Sequence, residues 1–568
     1  MEKRFVAFVV LSALILIGWT LLARRVFPPP PAPAPVAAPA GATDASPSPT
    51  PAAPASATAP PAAIPAAPAP AVTAEKDEEI RIDTDEAEIV LTNAGGRVRA
   101  WRLKGYRTAG RPVDLVSKIA TRTDALPLSV LFDDRGILPE ANSALFHVTR
   151  ERGDDGTEKV SFRWADGAGS SLEKTLTFTK GSPLLDLEIH AVDRGRPVTP
   201  RVVWGPGLEG EDEENRSNTY YADQAVVLES GQVVRLARRK IDNAIVQPES
   251  AHLSWAGLED QYFTAVILPA GTRGAVTIAP LGQTALAPKT PPPDAHVLES
   301  PTVAVALPDG RAQIFAGPKS FGQLSALGHE LERVVWFSSY KLIYACAKPL
   351  FLALRFVHDH WVANYGMAII LLTLGLRLLL FPLNQFSMVK MRRVAGDMQR
   401  VQPKLKALQA KYKKRTDAES RGDLNRETME LYKREGVNPF GGVTGCLPLL
   451  IQMPILWAFF DVLSAAVELR GAPFAGWIKD LTHPDPLYLT PVLMGATMFV
   501  QQKMTPTTNV DPAQQKIMLF MPIMFTVMFS KLPAGLVLYY FVNNLLGIGQ
   551  QWLVNRHVAR LEAAPTKA

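Results

Sequence analysis

The chain has 568 residues, 47% of them hydrophobic, and a formal charge of +6. That length would allow several average domains, but the apolar and charged residues are spread unevenly, so each stretch is read by itself. The two cysteines, Cys346 and Cys446, lie in or beside apolar runs and leave no basis for a disulfide framework or a Cys-x-x-Cys metal or redox site.

From Phe5 to Leu22 an apolar run is long enough to cross a bilayer. Lys3 and Arg4 precede it, and Arg24 and Arg25 follow with no small-residue cleavage site. Residues 1–27 are therefore expected to be an uncleaved anchor, a removed signal peptide being the alternative that length alone allows. Residues 28–74 are almost only Pro, Ala, Ser and Thr, a composition that buries no core and favours extended linker conformations.

Between residues 75 and 318 the pattern turns to short alternating runs bounded by Gly, Pro and Asp, such as Lys159-Val-Ser-Phe-Arg-Trp, Leu185-Asp-Leu-Glu-Ile and Thr302-Val-Ala-Val-Ala-Leu. Period-two alternation predicts strands with one buried face, and many of them without helical periodicity predict one large antiparallel sandwich. The region has no phosphate loop, HExxH or nucleophile elbow. Its scattered carboxylates are read as solvated strand faces, with a sugar-binding or hydrolytic module as the rival. Residues 319–361 are apolar but interrupted by charges and Pro349, which suits an amphipathic helix along the membrane interface. His358 and His360 flank Asp359, but i and i+2 on a helix point about 200° apart, too far round for one metal.

Five apolar stretches follow: Val362 to Leu383, Val443 to Val467, Leu487 to Val500, Ile517 to Leu532 and Gly535 to Leu553. With the first anchor they predict a polytopic protein of six transmembrane helices. The third and fourth of the five fall short of the ~20 residues that span hydrocarbon. The loop from Asn384 to Gly442 carries far more Lys and Arg than the one from Glu468 to Pro486, which places it in the cytoplasm. Both termini then lie in the cytoplasm, residues 557–568 as a short tail, with the β domain opposite. Within that loop Met398, Val401, Leu405, Leu408 and Tyr412, then Leu424, Thr428 and Leu431, recur at spacings of three and four. They predict a helical hairpin over residues 394–435. Its basic surface would meet anionic lipid, ribosomal RNA or a partner protein, or simply be solvated.

Arg377 stands in Leu371-Leu-Thr-Leu-Gly-Leu-Arg-Leu-Leu-Leu-Phe-Pro, where its charge has no local carboxylate. Such a charge is costly and usually functional. Snorkelling is the rival, because Leu383 is only about 9 Å away along the helix. Thr373, Gln452, Asn543 and Asn544 on neighbouring spans could join Arg377 in lining a wet cavity. A transporter or channel would use the same cavity, although no inverted repeat is visible. Asp461 is the tempting counter-ion, but it sits roughly 20 Å or more from the cytoplasmic face against about 9 Å for Arg377.

The runs Asn438-Pro-Phe-Gly-Gly, Cys446-Leu-Pro-Leu-Leu-Ile-Gln-Met-Pro-Ile, Val467-Glu-Leu-Arg-Gly-Ala-Pro-Phe, Gln502-Lys-Met-Thr-Pro-Thr-Thr, Asp511-Pro-Ala-Gln-Gln-Lys-Ile-Met and Pro533-Ala-Gly-Leu-Val-Leu-Tyr-Tyr closely resemble the YidC membrane insertase family of Gram-negative bacteria. The resemblance is dense over about residues 319–556. It implies an inner-membrane insertase and chaperone that hydrolyses no nucleotide, with a five-helix core at residues 362–556 and a periplasmic β-supersandwich. It further implies that Arg377 attracts polar or acidic segments in a hydrophilic groove that Thr373 and Tyr540 help to line. Ile455, Phe459, Met524 and Phe525 match an apolar slide for the departing substrate helix. The implied partners are nascent membrane proteins, the Sec translocon, membrane lipids, and the ribosome and signal recognition particle receptor at the hairpin. No catalytic, cofactor-binding or metal-binding residue is expected. Two positions depart from the family pattern, Asp461 and Lys531, each adding a charge on or beside the slide helices.

Overall fold

A computed structural model describes residues 71–108, 110–133, 138, 140–209, 223–247, 252–271, 274–290, 292–338, 340–412, 418–436, 447–504 and 512–563. The expected anchor, nearly all of the linker, the Asn438 motif, Cys446 and residues 564–568 lie outside the described residues.

The first part of the chain forms three antiparallel sheets. The largest has ten strands. Its spatial order runs Gln232–Ala237, Gln224–Glu229, Leu253–Glu259, Phe263–Pro269, Arg311–Pro318, Leu184–Asp193, Ser171–Phe178, Glu158–Ala165 and His147–Arg152, with Arg196–Pro197 paired to Leu184–Asp193. A five-stranded sheet is built around Pro301–Ala306, and a four-stranded sheet from residues 79–114. After the last strand of that sheet, Arg111–Asp114, comes a short helix, α1 (Lys118–Thr123), capped by the Ser117 hydroxyl. All three sheets share one apolar core, in which Trp101 meets the fully buried Trp204 edge-on at 5.9 Å.

Period two decides which layer each side chain joins. In Leu184–Asp193 the exposed and buried positions alternate as the sequence predicts. Where the ten-stranded sheet is covered on both faces, neighbours part company. Ala225, Val227, Ala265, Ile267 and Ile314 enter the sandwich core, whereas Val226, Leu228, Val266, Leu268 and Phe315 enter a second cluster. Pro301–Ala306 differs from the expectation of one buried face: all six residues are buried. This strand lies between Val276–Pro280 and Arg201–Trp204, and the small side chains of its second face, Ala304 and Ala306, are covered as well.

Lys174 is fully buried in the sandwich. Its Nζ donates to the carbonyls of Gly95 at 2.6 Å and Leu128 at 2.9 Å, with Gly96 at 3.5 Å. Burial, with Arg97 adding repulsion, holds its pKa well below the ordinary 10.5. For a base, a lowered folded pKa means that the folded state resists protonation, a cost present at neutral pH and relieved as pH rises toward the ordinary lysine range. The melting-temperature difference between parent and Lys174→Met is therefore expected to move in the parent's favour between neutral pH and pH about 10. A difference independent of pH would contradict this account of Lys174.

After Pro318 the expected single interfacial helix divides. A short helix α2 (Phe321–Leu327) and a 3-10 turn at Leu331–Val334 come first. The longer α3 (Lys341–His360) begins only after them. His329 and Glu330 adopt left-handed conformations, φ 54° and 56°, which break any helix through this point. Leu324, Leu331, Val334 and Phe337 cover the second face of the ten-stranded sheet, and the same cluster continues through Leu350, Phe351 and Leu354 of α3 into the helices beyond.

Each of the five apolar stretches coincides with a helix. These are α4 (Tyr365–Tyr412), α6 (Leu447–Ala465), α7 (Leu489–Met504), α8 (Pro512–Phe529) and α9 (Ala534–Ala563), with α5 (Ala418–Arg434) following α4. Among the described residues, one segment, Tyr365–Lys390, is long and apolar enough by itself to cross a membrane. Gln452–Ala465 and Leu519–Phe529 are shorter apolar helices. The first of the five apolar stretches and the first arm of the hairpin are one continuous helix of 48 residues, despite Pro382 and Pro403. The hairpin arms run antiparallel: Lys404 meets Glu435 at 2.6 Å, Lys411 meets Glu427 at 3.1 Å, and the Tyr412 hydroxyl donates to Glu427 at 2.7 Å. Val401, Leu405 and Tyr412 are buried along the seam. The Tyr412 hydrogen bond, then that from Lys411, holds the Glu427 carboxyl below its ordinary range.

Candidate functional site: a guanidinium docked between core helices

Helices α4 and α9 pack side by side in the core. On α4, Arg377 is half-buried, and its guanidinium reaches across to one residue of α9. Nε donates to Asn543 Oδ1 at 2.8 Å and Nη2 to the Asn543 carbonyl at 2.8 Å. These bonds engage two of the five N–H donors that a guanidinium carries. The side chain is thus held across the helix pair by a neutral residue. Asp461, the counter-ion set aside on depth, is 3% exposed near the far end of α6, with its Oδ2 unbonded among the described residues.

The other predicted groove residues take different positions. Thr373, one helical turn from Arg377, is 1% exposed, and its hydroxyl donates to the Ile369 carbonyl of its own helix at 2.6 Å. Tyr540 is partly buried, edge-on to Phe529 at 4.6 Å. Gln452 and Asn544 are also partly buried. Arg377 and Asn543 are the predicted pair that hydrogen bonding joins. Reasoning from sequence missed Gln501 of α7. Its side-chain amide and the Arg377 guanidinium both approach Gly547 on α9, and its sequence signal was only a polar residue ending an apolar run.

The predicted slide residues divide by exposure. Met524 on α8 is 52% exposed within an apolar surface that includes Phe520, Ile523 and Val527, while Phe525 is partly buried. Ile455 on α6 is partly buried. Phe459 is 1% exposed and stacks on Tyr539 at 4.3 Å, inside the core. Helices α7 and α8 approach closely at Gly495, where a Cβ would stand 1.9 Å from Thr526 Oγ1.

Beyond α6, the segment after Ala465 fastens the helices to the sandwich. Val467 enters the sandwich core and Leu469 the second cluster. Arg470 donates to Thr108 Oγ1 at 2.6 Å, its guanidinium lying 4.9 Å from the Tyr262 ring centre and 5.2 Å from that of Phe263. Glu468 accepts from the Phe321 backbone at 3.2 Å, and burial raises its carboxyl pKa.

Two family profiles match the chain, one described as 60Kd inner membrane protein over residues 356–561 and one as YidC periplasmic domain over residues 79–353. The sequence is 34% identical over 501 residues to a membrane protein insertase YidC of Syntrophus aciditrophicus, covering 85% of this chain and 86% of that protein. It is also 34% identical over 518 residues to a membrane protein insertase YidC of Geobacter sulfurreducens, covering 85% and 87%. A crystal structure described as an active YidC insertase with its first transmembrane domain resolved is similar over 84% of this chain and 93% of that one, at 18% identity and a TM-score of 0.34.

Proposed function

Because the chain belongs to the YidC family of inner-membrane proteins, we propose that it inserts membrane proteins by receiving their polar segments at Arg377. It is a membrane protein insertase with a periplasmic β-rich domain and a helical membrane core, and its substrates are nascent membrane proteins. The transporter or channel reading has no support from its relatives. The observation that carries the role of Arg377 is its docking on the neutral Asn543, which fixes the side chain without neutralising its charge.

A polar segment in bare hydrocarbon costs several kcal/mol per unsatisfied group. A guanidinium with donors to spare lowers that cost on the way across, and burial of the substrate's apolar helix, at about 25 cal/mol per Å², drives the step. Exposed Met524 and its apolar neighbours on α8 support an exit surface. The finer arrangement we favour has six spans, both termini in the cytoplasm, and the hairpin as a contact for the ribosome or the signal recognition particle receptor. The Sec translocon acts beside it for some substrates. The loop-charge asymmetry and the cross-braced basic hairpin support that arrangement.

Purified protein in liposomes is expected to insert a small two-span substrate without nucleotide. Insertion no greater than into empty liposomes would refute the proposal.

A further inference from the structure

A helical side chain covers the turn on the N-terminal side of its own Cα, so residue 547 of α9 stands over the backbone carbonyl of residue 543. That residue is Gly547, and the carbonyl it leaves uncovered is the one that receives Arg377 Nη2 at 2.8 Å. A Cβ at position 547 would lie 3.1 Å from Arg377 Nη2 and 2.8 Å from Gln501 Nε2. A single methyl group would therefore displace the flexible ends of both polar side chains, the Arg377 guanidinium by a few tenths of an ångström and the Gln501 amide by more. We propose that Gly547 is a positioning residue for insertion: its missing side chain admits the Arg377 guanidinium to the Asn543 carbonyl and sets where Arg377 and Gln501 stand toward the substrate.

This inference rests on the reading of Arg377 as the group that meets polar substrate segments. It also explains a glycine in a helix interior, where alanine would be favoured by backbone propensity. Gly549, two residues on in the same helix, supplies the control, since a Cβ there would meet nothing within 4 Å.

The test compares the parent, Gly547→Ala, Gly549→Ala, Arg377→Ala and the Arg377→Ala/Gly547→Ala double variant in liposomes. Each is given a two-span substrate with either an acidic translocated segment or the same segment neutralised to Asn and Gln. Gly547→Ala is expected to slow insertion of the acidic substrate on the order of tenfold while sparing the neutral one. It should add nothing to Arg377→Ala, and Gly549→Ala should match the parent. If Arg377→Ala is impaired on the acidic substrate and Gly547→Ala is not, the positioning role is overturned while the reading of Arg377 stands. If Arg377→Ala itself inserts the acidic substrate normally, that reading fails and this inference with it. Equal loss on both substrates, a further loss in the double variant, or a Gly547→Ala protein that melts well below the parent in detergent would each assign the glycine to the fold and overturn the proposal.

Discussion

Arg377→Ala is expected to slow insertion of substrates with acidic translocated segments by roughly 10- to 100-fold and to leave neutral substrates close to the parent rate. The magnitude follows from the hydrogen bonds involved: one made to a charged group contributes about 1.5–3 kcal/mol, and each 1.4 kcal/mol is a factor of ten. Arg377→Lys should fall between parent and alanine. Lysine keeps the charge, but its point-like ammonium cannot reproduce the paired donation from Nε and Nη2 to Asn543. Asn543→Ala removes the side-chain half of the docking and leaves the carbonyl, so it should behave like a mild form of the lysine variant. Insertion rates for acidic and neutral versions of one substrate check the series. Equal loss on both would mean that Arg377 supports the fold alone.

The largest expected loss of stability lies in the β-rich domain, at Glu259→Ala. The Glu259 side chain is fully buried and takes a hydrogen bond from Arg235 Nε at 2.7 Å and one from Gln224 Nε2 at 2.9 Å, with Lys319 Nζ at 3.4 Å. Lys319 also donates to the Asp260 carbonyl at 2.7 Å, and Arg235 to the carbonyls of Arg333 and Val334 at 2.9 and 3.1 Å. One carboxylate thus ties a sheet edge, the strand end at Pro318 and the 3-10 turn ahead of α3 together. Removing one partner of a buried pair costs about 3–5 kcal/mol, because the cations left behind remain desolvated. For a domain of this size that is a fall in melting temperature on the order of 10 °C. A thermal melt of the whole protein in detergent measures it. A fall of only a degree or two would show that water reaches Arg235 and Lys319 once the carboxylate is gone.

Alternation made the sandwich legible in strands such as Leu184–Asp193, where one face meets solvent. It fails in Pro301–Ala306, because a strand covered on both faces has no polar side to mark it. The helix seam of the hairpin was legible for the same kind of reason, with Val401, Leu405 and Tyr412 buried at their spacing. The cluster around Glu259 was not, since its partners are scattered from Gln224 to Lys319 and only the fold joins them. At the candidate site, the charge of Arg377 among leucines was visible at once, and Asn543 was visible as one of two adjacent amides. Choosing between Asn543 and Asn544 required the packing of α4 on α9, because neighbours on a helix point about 100° apart. Thr373 and Phe459 show the same limit. Their types suited a groove and a slide, but a hydrogen bond to Ile369 and a stack on Tyr539 turn them inward.

The most direct test of the role of Arg377 places a photo-crosslinking amino acid at position 544, beside its docking partner, and another at position 520 on the exposed face of α8. A ribosome-stalled substrate carrying an acidic segment is then presented to membranes containing each protein. The acidic segment should crosslink from position 544, and that adduct should be strongly reduced by Arg377→Ala, while the substrate's apolar helix crosslinks from position 520. An adduct from position 544 that is unchanged by Arg377→Ala, or an acidic segment captured only from position 520, would contradict the account.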